Sequence, residues 1–272
     1  MNSGGGWGTH VVELASDQVV KRFSRQDGGR AEREWRALTL LAAHAPGLAP
    51  TLRSIDRGTR GTTVVMSRLP GAPLRGAALG EKQVRALAEA VNELYAAVPA
   101  GVLRRVPVRP GQQSDLIAQV QRWAVTVRPH VDGAVGRAMD EGLRWLARSP
   151  LSNGAATRGP AVFGPGDGNL ANYLWDGSRV RVVDFEDSGR SDRAFELAEI
   201  TEHVGSWVEH PLAVPAFLNC CDLTAAEEAR LGDCRRLLAL VWLFLLARDR
   251  ENARNPGGTA ERQAERLRAL LA

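Results

Sequence analysis

The sequence predicts an α+β chain of two lobes, a small β-rich N-terminal lobe and a larger, mainly helical C-terminal lobe. Three observations predict it. Two pairs of short runs rich in β-branched residues precede residue 70. A Pro/Gly stretch, Leu69-Pro70-Gly71-Ala72-Pro73, then marks a change of style. Beyond it, apolar residues recur mostly at helical spacing. The expected division is therefore 1–69 and 70–272, and clefts between such lobes commonly bind ligands.

The elements follow in order. Residues 11–15 and 18–23 read as a hairpin, with Val11-Val12-Glu13-Leu14 and Val19-Val20-Lys21-Arg22-Phe23 flanking a Ser16-Asp17 turn. Residues 30–43 read as a helix through Trp35, Leu38 and Leu41, broken by Pro46 and Pro50. A second hairpin, 51–56 with 62–68, turns at Gly58 to Gly61. Residues 81–98 are the clearest helix, since Val84, Leu87, Ala88, Val91, Leu94, Tyr95 and Val98 line one face. Helices are also expected over 114–128, 132–148, 193–209, 224–251 and 258–271, with a loop over 149–160 and a short β region over 161–184. The stretch from Leu237 to Leu246 is apolar all round, as expected at the centre of a helical lobe.

Composition excludes several classes. The 272 residues are 44% hydrophobic and 24% charged, which fits neither a disordered nor a fibrous chain. The longest apolar run, Leu237 to Ala247, is shorter than the roughly 20 residues a bilayer requires. The opening Met-Asn-Ser-Gly-Gly-Gly has no basic-then-apolar leader, so a cytoplasmic protein without a membrane partner is expected. The net charge is +4, yet the arginines are scattered rather than striped, and nucleic acid is not an expected partner. Lys21 and Lys82 are the only lysines among 35 basic residues. Cys220, Cys221 and Cys234 form neither a disulfide framework nor a zinc pattern and are expected to be buried thiols. The five histidines lack metal-ligand spacing and are assigned structural or surface roles. Nothing in the sequence fixes the oligomeric state.

The chemistry is concentrated between Phe163 and Glu186. Tyr173-Leu174-Trp175 and Val180 to Val183 read as strands, and Asp176-Gly177 is a tight-turn signal. Folding about that turn places Asn172 beside Asp184 at the open end. Asp167, in a Gly-rich loop, can curl back to the same place. Singly, the three could be a turn residue, a cap and a strand end. Together they form an oxygen-rich cluster of the kind that suits Mg²⁺, with substrate phosphate and water completing the shell. A further carboxylate beside such an ion can orient a hydroxyl and accept its proton, which matches phosphoryl transfer from a nucleotide to an alcohol.

Asp167-x-x-x-x-Asn172 followed by Asp184-Phe185-Glu186 resembles the catalytic and metal-binding loops of the aminoglycoside phosphotransferase family, small-molecule relatives of protein kinases. The segment from Gly189 to Ala198 is similar to the family's sequence after the metal aspartate. The resemblance implies a protein-kinase-like bilobal fold, with nucleotide held by 1–69 and catalysis and acceptor binding in 70–272. It implies Asp167 as catalytic base, and Asn172 and Asp184 as Mg²⁺ ligands. Lys21 is placed as the anchor of the α/β-phosphates, and Glu34 as its helix partner. Val64 to Gly71 resembles the strand and linker that bind adenine, which places Met66, Ser67 and Leu69 along the base. Gly6 and Gly8 stand where a Gly-rich turn would approach phosphate. Pro165 stands where the family usually has histidine.

Acidic residues cluster after the metal aspartate: Glu186, Asp187, Asp192, Glu196, Glu199, Glu202 and Glu209. If they face the cleft they favour a cationic, polyhydroxylated acceptor, with Glu186, Glu199 and Glu202 as candidate contacts. A solvated helix face with structural ion pairs is the other reading. The expected function is an ATP- or GTP-dependent phosphotransferase acting on a small-molecule hydroxyl, with an antibiotic acceptor in resistance or self-protection. The alternatives are a nucleotide-binding pseudokinase and a kinase of choline, a sugar or an amino-alcohol.

Overall fold

The structure is a computed structural model of the 272-residue chain, and it describes residues 11–27, 29–59, 61–152, 159–248 and 255–272. Near the N-terminus, β1 (Val11–Leu14), β2 (Gln18–Ser24), β3 (Leu52–Gly58) and β4 (Gly61–Ser67) form an antiparallel sheet in the order β1-β2-β4-β3. Alternation along β2 buries Lys21 and Phe23 while leaving Arg22 and Ser24 exposed. Helix α1 (Arg30–His44) packs on this sheet, burying Glu34, Ala37, Leu38 and Leu41 at helical spacing. Lys21 and Glu34 thus share the sheet–helix interface.

The Pro/Gly stretch is more than a connector. Ala72 and Pro73 form a short strand, β5, against β7 (Tyr173–Trp175), which pairs in turn with β8 (Val180–Val182). Asp176 fastens the β7–β8 turn by accepting the N–H groups of Ser178 and Arg179, both at 2.9 Å. A further antiparallel pair joins β6 (Ala161–Gly164) to β9 (Gly189–Asp192). The β region therefore continues beyond the expected residue 184, because β6 finds its partner 25 or more residues later.

The helices are α2 (Glu81–Ala97), α3 (Ala100–Leu103), α4 (Gln113–Thr126), α5 (Gly133–Arg148), α6 (Arg193–Glu202), α7 (Val214–Leu218), α8 (Ala225–Arg248) and α9 (Thr259–Leu271). The expected helix over 193–209 ends early, at Glu202. His203 takes extended ψ, and its ring accepts the Gly205 N–H, which draws the chain out of the helical ladder. The apolar centre of α8 is buried as expected, packed by α4, α5, α6 and α9. Cys221 and Cys234 are buried thiols, but Cys220 is exposed, because it lies on the turn that follows α7.

Two cores result. One runs continuously from Phe23, Leu38 and Val64 through Leu48 to Val182, Phe185 and Leu197. The other surrounds α8 with Trp123, Met139, Phe244 and Leu267. The first passes beneath the β7–β8 hairpin, where Val182 N–H donates to Leu48 O at 2.9 Å. Among the described residues, no helix is long and apolar enough to cross a membrane.

Candidate active site

The site is assembled from the β7–β8 hairpin outward. Tyr173 lies opposite Val182, and Val183 N–H donates to Asn172 O at 2.9 Å. Asn172 and Asp184 consequently flank the open end of one ribbon. Gly166 closes the preceding loop in the left-handed region (φ 85°); a Cβ there would stand 2.1 Å from Asp187 O. Asp167 is held by two donors, Asn169 N–H on Oδ1 at 2.9 Å and Asn172 Nδ2 on Oδ2 at 3.0 Å. Because the Asn172 amide nitrogen is spent on Asp167, its Oδ1 is the atom left for a cation.

Asp184 is also left-handed (φ 69°), a conformation that aspartate tolerates better than most residues. Its Oδ1 accepts from Lys21 Nζ at 2.7 Å, and the same ammonium donates to Glu34 Oε2 at 3.0 Å. Glu34 Oε2 further accepts Phe185 N–H at 2.9 Å. One buried lysine thus ties the N-terminal sheet, α1 and the segment after β8 into a single charged cluster. Burial opposes the Lys21 charge, but the carboxylates of Asp184 and Glu34 outweigh it and hold its pKa above the ordinary lysine value.

Asp167 holds its proton more tightly than an ordinary carboxylate. The enclosing cleft pushes its carboxyl up to about 6; the Asn169 N–H opposes this, and the negative charge of Asp184 adds to it. Even so, 37% of the side chain meets solvent, so the carboxyl is reachable by a ligand. A carboxylate raised toward neutral pH is a stronger base than an ordinary one.

The donors near a prospective metal are an amide oxygen and carboxylates, a hard-oxygen set that fits Mg²⁺. No group of three or more His, Cys, Asp or Glu residues placed to hold a metal occurs among the described residues.

The remaining expected site residues are distributed as follows. Gly6 and Gly8 lie outside the described residues. Met66 is buried and Ser67 half-buried at the end of β4, where Ser67 N–H already donates to Thr51 O at 2.8 Å. Leu69, half-buried, follows on the stretch leading to β5.

The acidic cluster requires a correction. Every one of its seven carboxylates lies within 4 Å of an arginine. Glu186 meets Arg30 (3.7 Å), and Asp187 meets Arg30 and Arg33 (3.6 and 3.4 Å). Asp192 meets Arg230 (2.7 Å), and Glu196 and Glu199 share Arg109 (2.8 and 3.0 Å). Glu202 is fully buried between Arg235 and Arg266 (2.6 and 2.9 Å), and Glu209 meets Arg75 (3.7 Å). Glu202 is therefore not an acceptor contact, because both its oxygens are taken by internal ion pairs. Glu186 and Glu199 are likewise compensated, so the cluster supplies no bare negative wall.

Two residues at the site had escaped the sequence reading. Arg109 donates to Gly166 O at 2.8 Å while pairing with Glu196 and Glu199, so it links the loop that carries Asp167 to α6. His203 places Nε2 3.6 Å from Asp167 Oδ1. Neither belongs to a motif; the tertiary fold brings them in from 58 residues before and 36 residues after Asp167. The only sequence signals were a lone arginine in a Pro-rich loop and a lone histidine after an acidic helix.

A β-rich lobe that sends a carboxylate-paired lysine to a hairpin bearing Asp167, Asn172 and Asp184 defines a kinase-like phosphotransferase. The chain belongs to the phosphotransferase enzyme family, whose profile matches residues 3–217, and it is a small-molecule kinase. Among solved structures, the GDP and kanamycin complex of APH(2")-IIia is similar at 17% identity, with 97% of this chain and 91% of that one covered and a TM-score of 0.71. A choline/ethanolamine kinase family protein from Mesorhizobium loti is similar at 19% identity, covering 98% and 86%, with a TM-score of 0.66. Spectinomycin phosphotransferase APH(9)-Ia is similar at 11% identity, covering 98% and 87%, with a TM-score of 0.63. At these identities the likeness establishes the fold. Among curated protein sequences none matches.

Proposed function

We propose that this kinase transfers the γ-phosphoryl group of ATP or GTP to a hydroxyl of a small antibiotic, in resistance or self-protection. The observation that carries the chemistry is the shared cluster of Lys21, Asp184, Asn172 and Asp167. Solved relatives of the same fold support a nucleotide donor, since they hold GDP, ADP or AMP-PNP. They also support an antibiotic acceptor, since they hold kanamycin, streptomycin or hygromycin B.

Each residue then has a task. Lys21, kept charged by its two carboxylates, anchors the α/β-phosphates, while Glu34 keeps it aimed. The linker at Met66, Ser67 and Leu69 borders the base. Asn172 and Asp184 would hold Mg²⁺, which when bound neutralises phosphate charge. Asp167 accepts the acceptor's hydroxyl proton as the acceptor oxygen forms its bond to the γ-phosphorus. The bond from that phosphorus to the β-bridging oxygen breaks, and the nucleoside diphosphate leaves. Because the acidic cluster is internally paired, acceptor recognition rests on shape and hydroxyl hydrogen bonds rather than on a bare negative surface.

The test is a screen of hydroxyl-bearing antibiotics, with amino-alcohols and sugars alongside, using radiolabelled ATP and GTP. Labelled antibiotic from the wild type and none from Asp184→Ala is the expected result. Label appearing only on amino-alcohols or sugars would replace the antibiotic assignment. Wild-type turnover by Asp184→Ala would remove the metal assignment.

A further inference from the structure

We propose that His203 is a positioning residue for the catalytic base: its Nε2–H orients the Asp167 carboxylate toward the acceptor hydroxyl. This rests on the kinase reading above, in which Asp167 accepts that proton.

The argument begins with the ring's tautomer. His203 Nδ1 accepts the Gly205 N–H at 2.9 Å, so in the neutral imidazole the proton resides on Nε2. That nitrogen stands 3.6 Å from Asp167 Oδ1. The separation is longer than a hydrogen bond, but catalytic contacts commonly tighten when substrate arrives, and a shift of roughly 0.5 Å suffices here.

The ring is held where it is. Trp242 meets it edge-on, with centroids 4.6 Å apart. Gly205 makes the approach possible, since a Cβ there would lie 2.8 Å from Asn169 Oδ1 and 3.0 Å from His203 Nδ1. Asn169 is itself the residue whose N–H donates to Asp167. The segment after α6 and the catalytic loop are thus packed against each other at this point.

The charge state is consistent with the role. Burial, with the nearby Arg75 cation, depresses the imidazole pKa to about 3, so the ring is neutral at any working pH. A neutral donor can orient a carboxylate without the strong acidifying effect of an imidazolium. Asn169 N–H and the Asn172 amide restrain Asp167 already, and the His203 ring adds a third restraint once the separation closes.

The experiment compares His203→Gln with His203→Asn. Glutamine can set an N–H close to the place of Nε2, whereas asparagine reaches only the place of Nδ1. The rate is read as inorganic phosphate released from Mg·ATP and Mg·GTP with water as acceptor. The expected result is a fall in kcat of about 10- to 100-fold for His203→Asn, with KM for nucleotide within about twofold. His203→Gln is expected to recover most of that loss at a similar melting temperature. Equal rates for the two variants, or a loss that follows melting temperature alone, would overturn the proposal. A second reading needs no turnover: the ¹⁵N and proton signals of His203 Nε2–H in the folded wild type are expected to move in Asp167→Asn. Unmoved signals would also overturn it. Failure of the kinase reading looks different, since the wild type then releases no phosphate while the Nε2 signal still reports the contact.

Discussion

On the proposed function, Lys21 serves both the fold and the chemistry. It is buried with two carboxylate partners, of which Glu34 has no solvent exposure. Removing the ammonium strands Glu34 as an uncompensated buried charge, a loss of about 3–5 kcal/mol. Lys21→Met is therefore expected to lower the urea midpoint and to weaken nucleotide binding at least tenfold by calorimetry. Lys21→Met/Glu34→Gln is expected to regain much of the stability but not the affinity. If affinity returned as well, the phosphate-anchor role would be wrong. Titration at the residue scale yields a second expectation. Burial raises Glu199 to about 7 and depresses His203 to about 3. For Glu199 the folded state holds a proton more tightly than the unfolded chain. Its stabilising share is full below about pH 4.5 and is lost as pH rises through about 7. For His203 the unfolded chain binds protons more tightly, so its share is full above about pH 6.5 and is lost as pH falls toward 3. The two slopes oppose each other between about pH 4.5 and 6.5. Relative to the wild type, Glu199→Gln should turn the pH dependence of the melting temperature upward in that window and His203→Gln should turn it downward; changes of the opposite sign would refute both assignments.

At the scale of elements, the loop that carries Asp167 depends on how closely it lies on α6. A Cβ at Gly168 would stand 2.2 Å from the backbone carbon and oxygen of Glu199. Backbone cannot give way as a side chain can, so Gly168→Ala lifts the loop that carries Asp167. A loss of about 1–3 kcal/mol is expected, together with a fall in kcat that persists at temperatures where the variant is fully folded. Gly142, on α5, gives the contrast. A Cβ there would meet Leu240 Cδ1 at 2.7 Å, a flexible side-chain end in the core around α8. Gly142→Ala should alter stability and leave phosphate release unchanged, as measured on folded protein. The elements also show what the sequence could convey. The β7–β8 hairpin was readable because Asp176-Gly177 dictates a tight turn and period-two alternation fixes its register, so Asn172 and Asp184 could be paired from spacing alone. Lys21 and Glu34 were reachable through the family resemblance. The pairing of β6 with β9, the strand at Ala72–Pro73, and the roles of Arg109 and His203 were not readable. Each depends on a partner distant in the chain, and no local period encodes it. The choice between the two readings of the acidic cluster was not legible for the same reason, because the arginines that pair with it come from α1, α8, α9 and the loops before α2 and α4.

At the scale of the whole molecule, the decisive feature is that the first core does not stop at the Pro/Gly stretch. Phe23 and Val64 belong to the same apolar cluster as Val182, Phe185 and Leu197, and the Lys21–Asp184 pair crosses the same junction at 2.7 Å. Two lobes joined only by a linker would melt separately, whereas lobes sharing a core and a buried ion pair are coupled. A single cooperative thermal transition is expected for the free protein. On the proposed function, nucleotide with magnesium binds where that pair lies and favours only the folded arrangement. At a free concentration about 100 times its Kd, it contributes about 2.7 kcal/mol, which raises the melting temperature by about 5–10 °C. Lys21→Met should lose most of that shift while Gly142→Ala keeps it, because only the former removes a group from the cleft. Scanning calorimetry distinguishes the outcomes. Two resolved transitions, with only the lower one moved by nucleotide, would mean that the N-terminal sheet unfolds on its own and that the shared core does not couple the lobes. One transition moving as a unit would mean that the nucleotide is bound by the same packing that holds the molecule together.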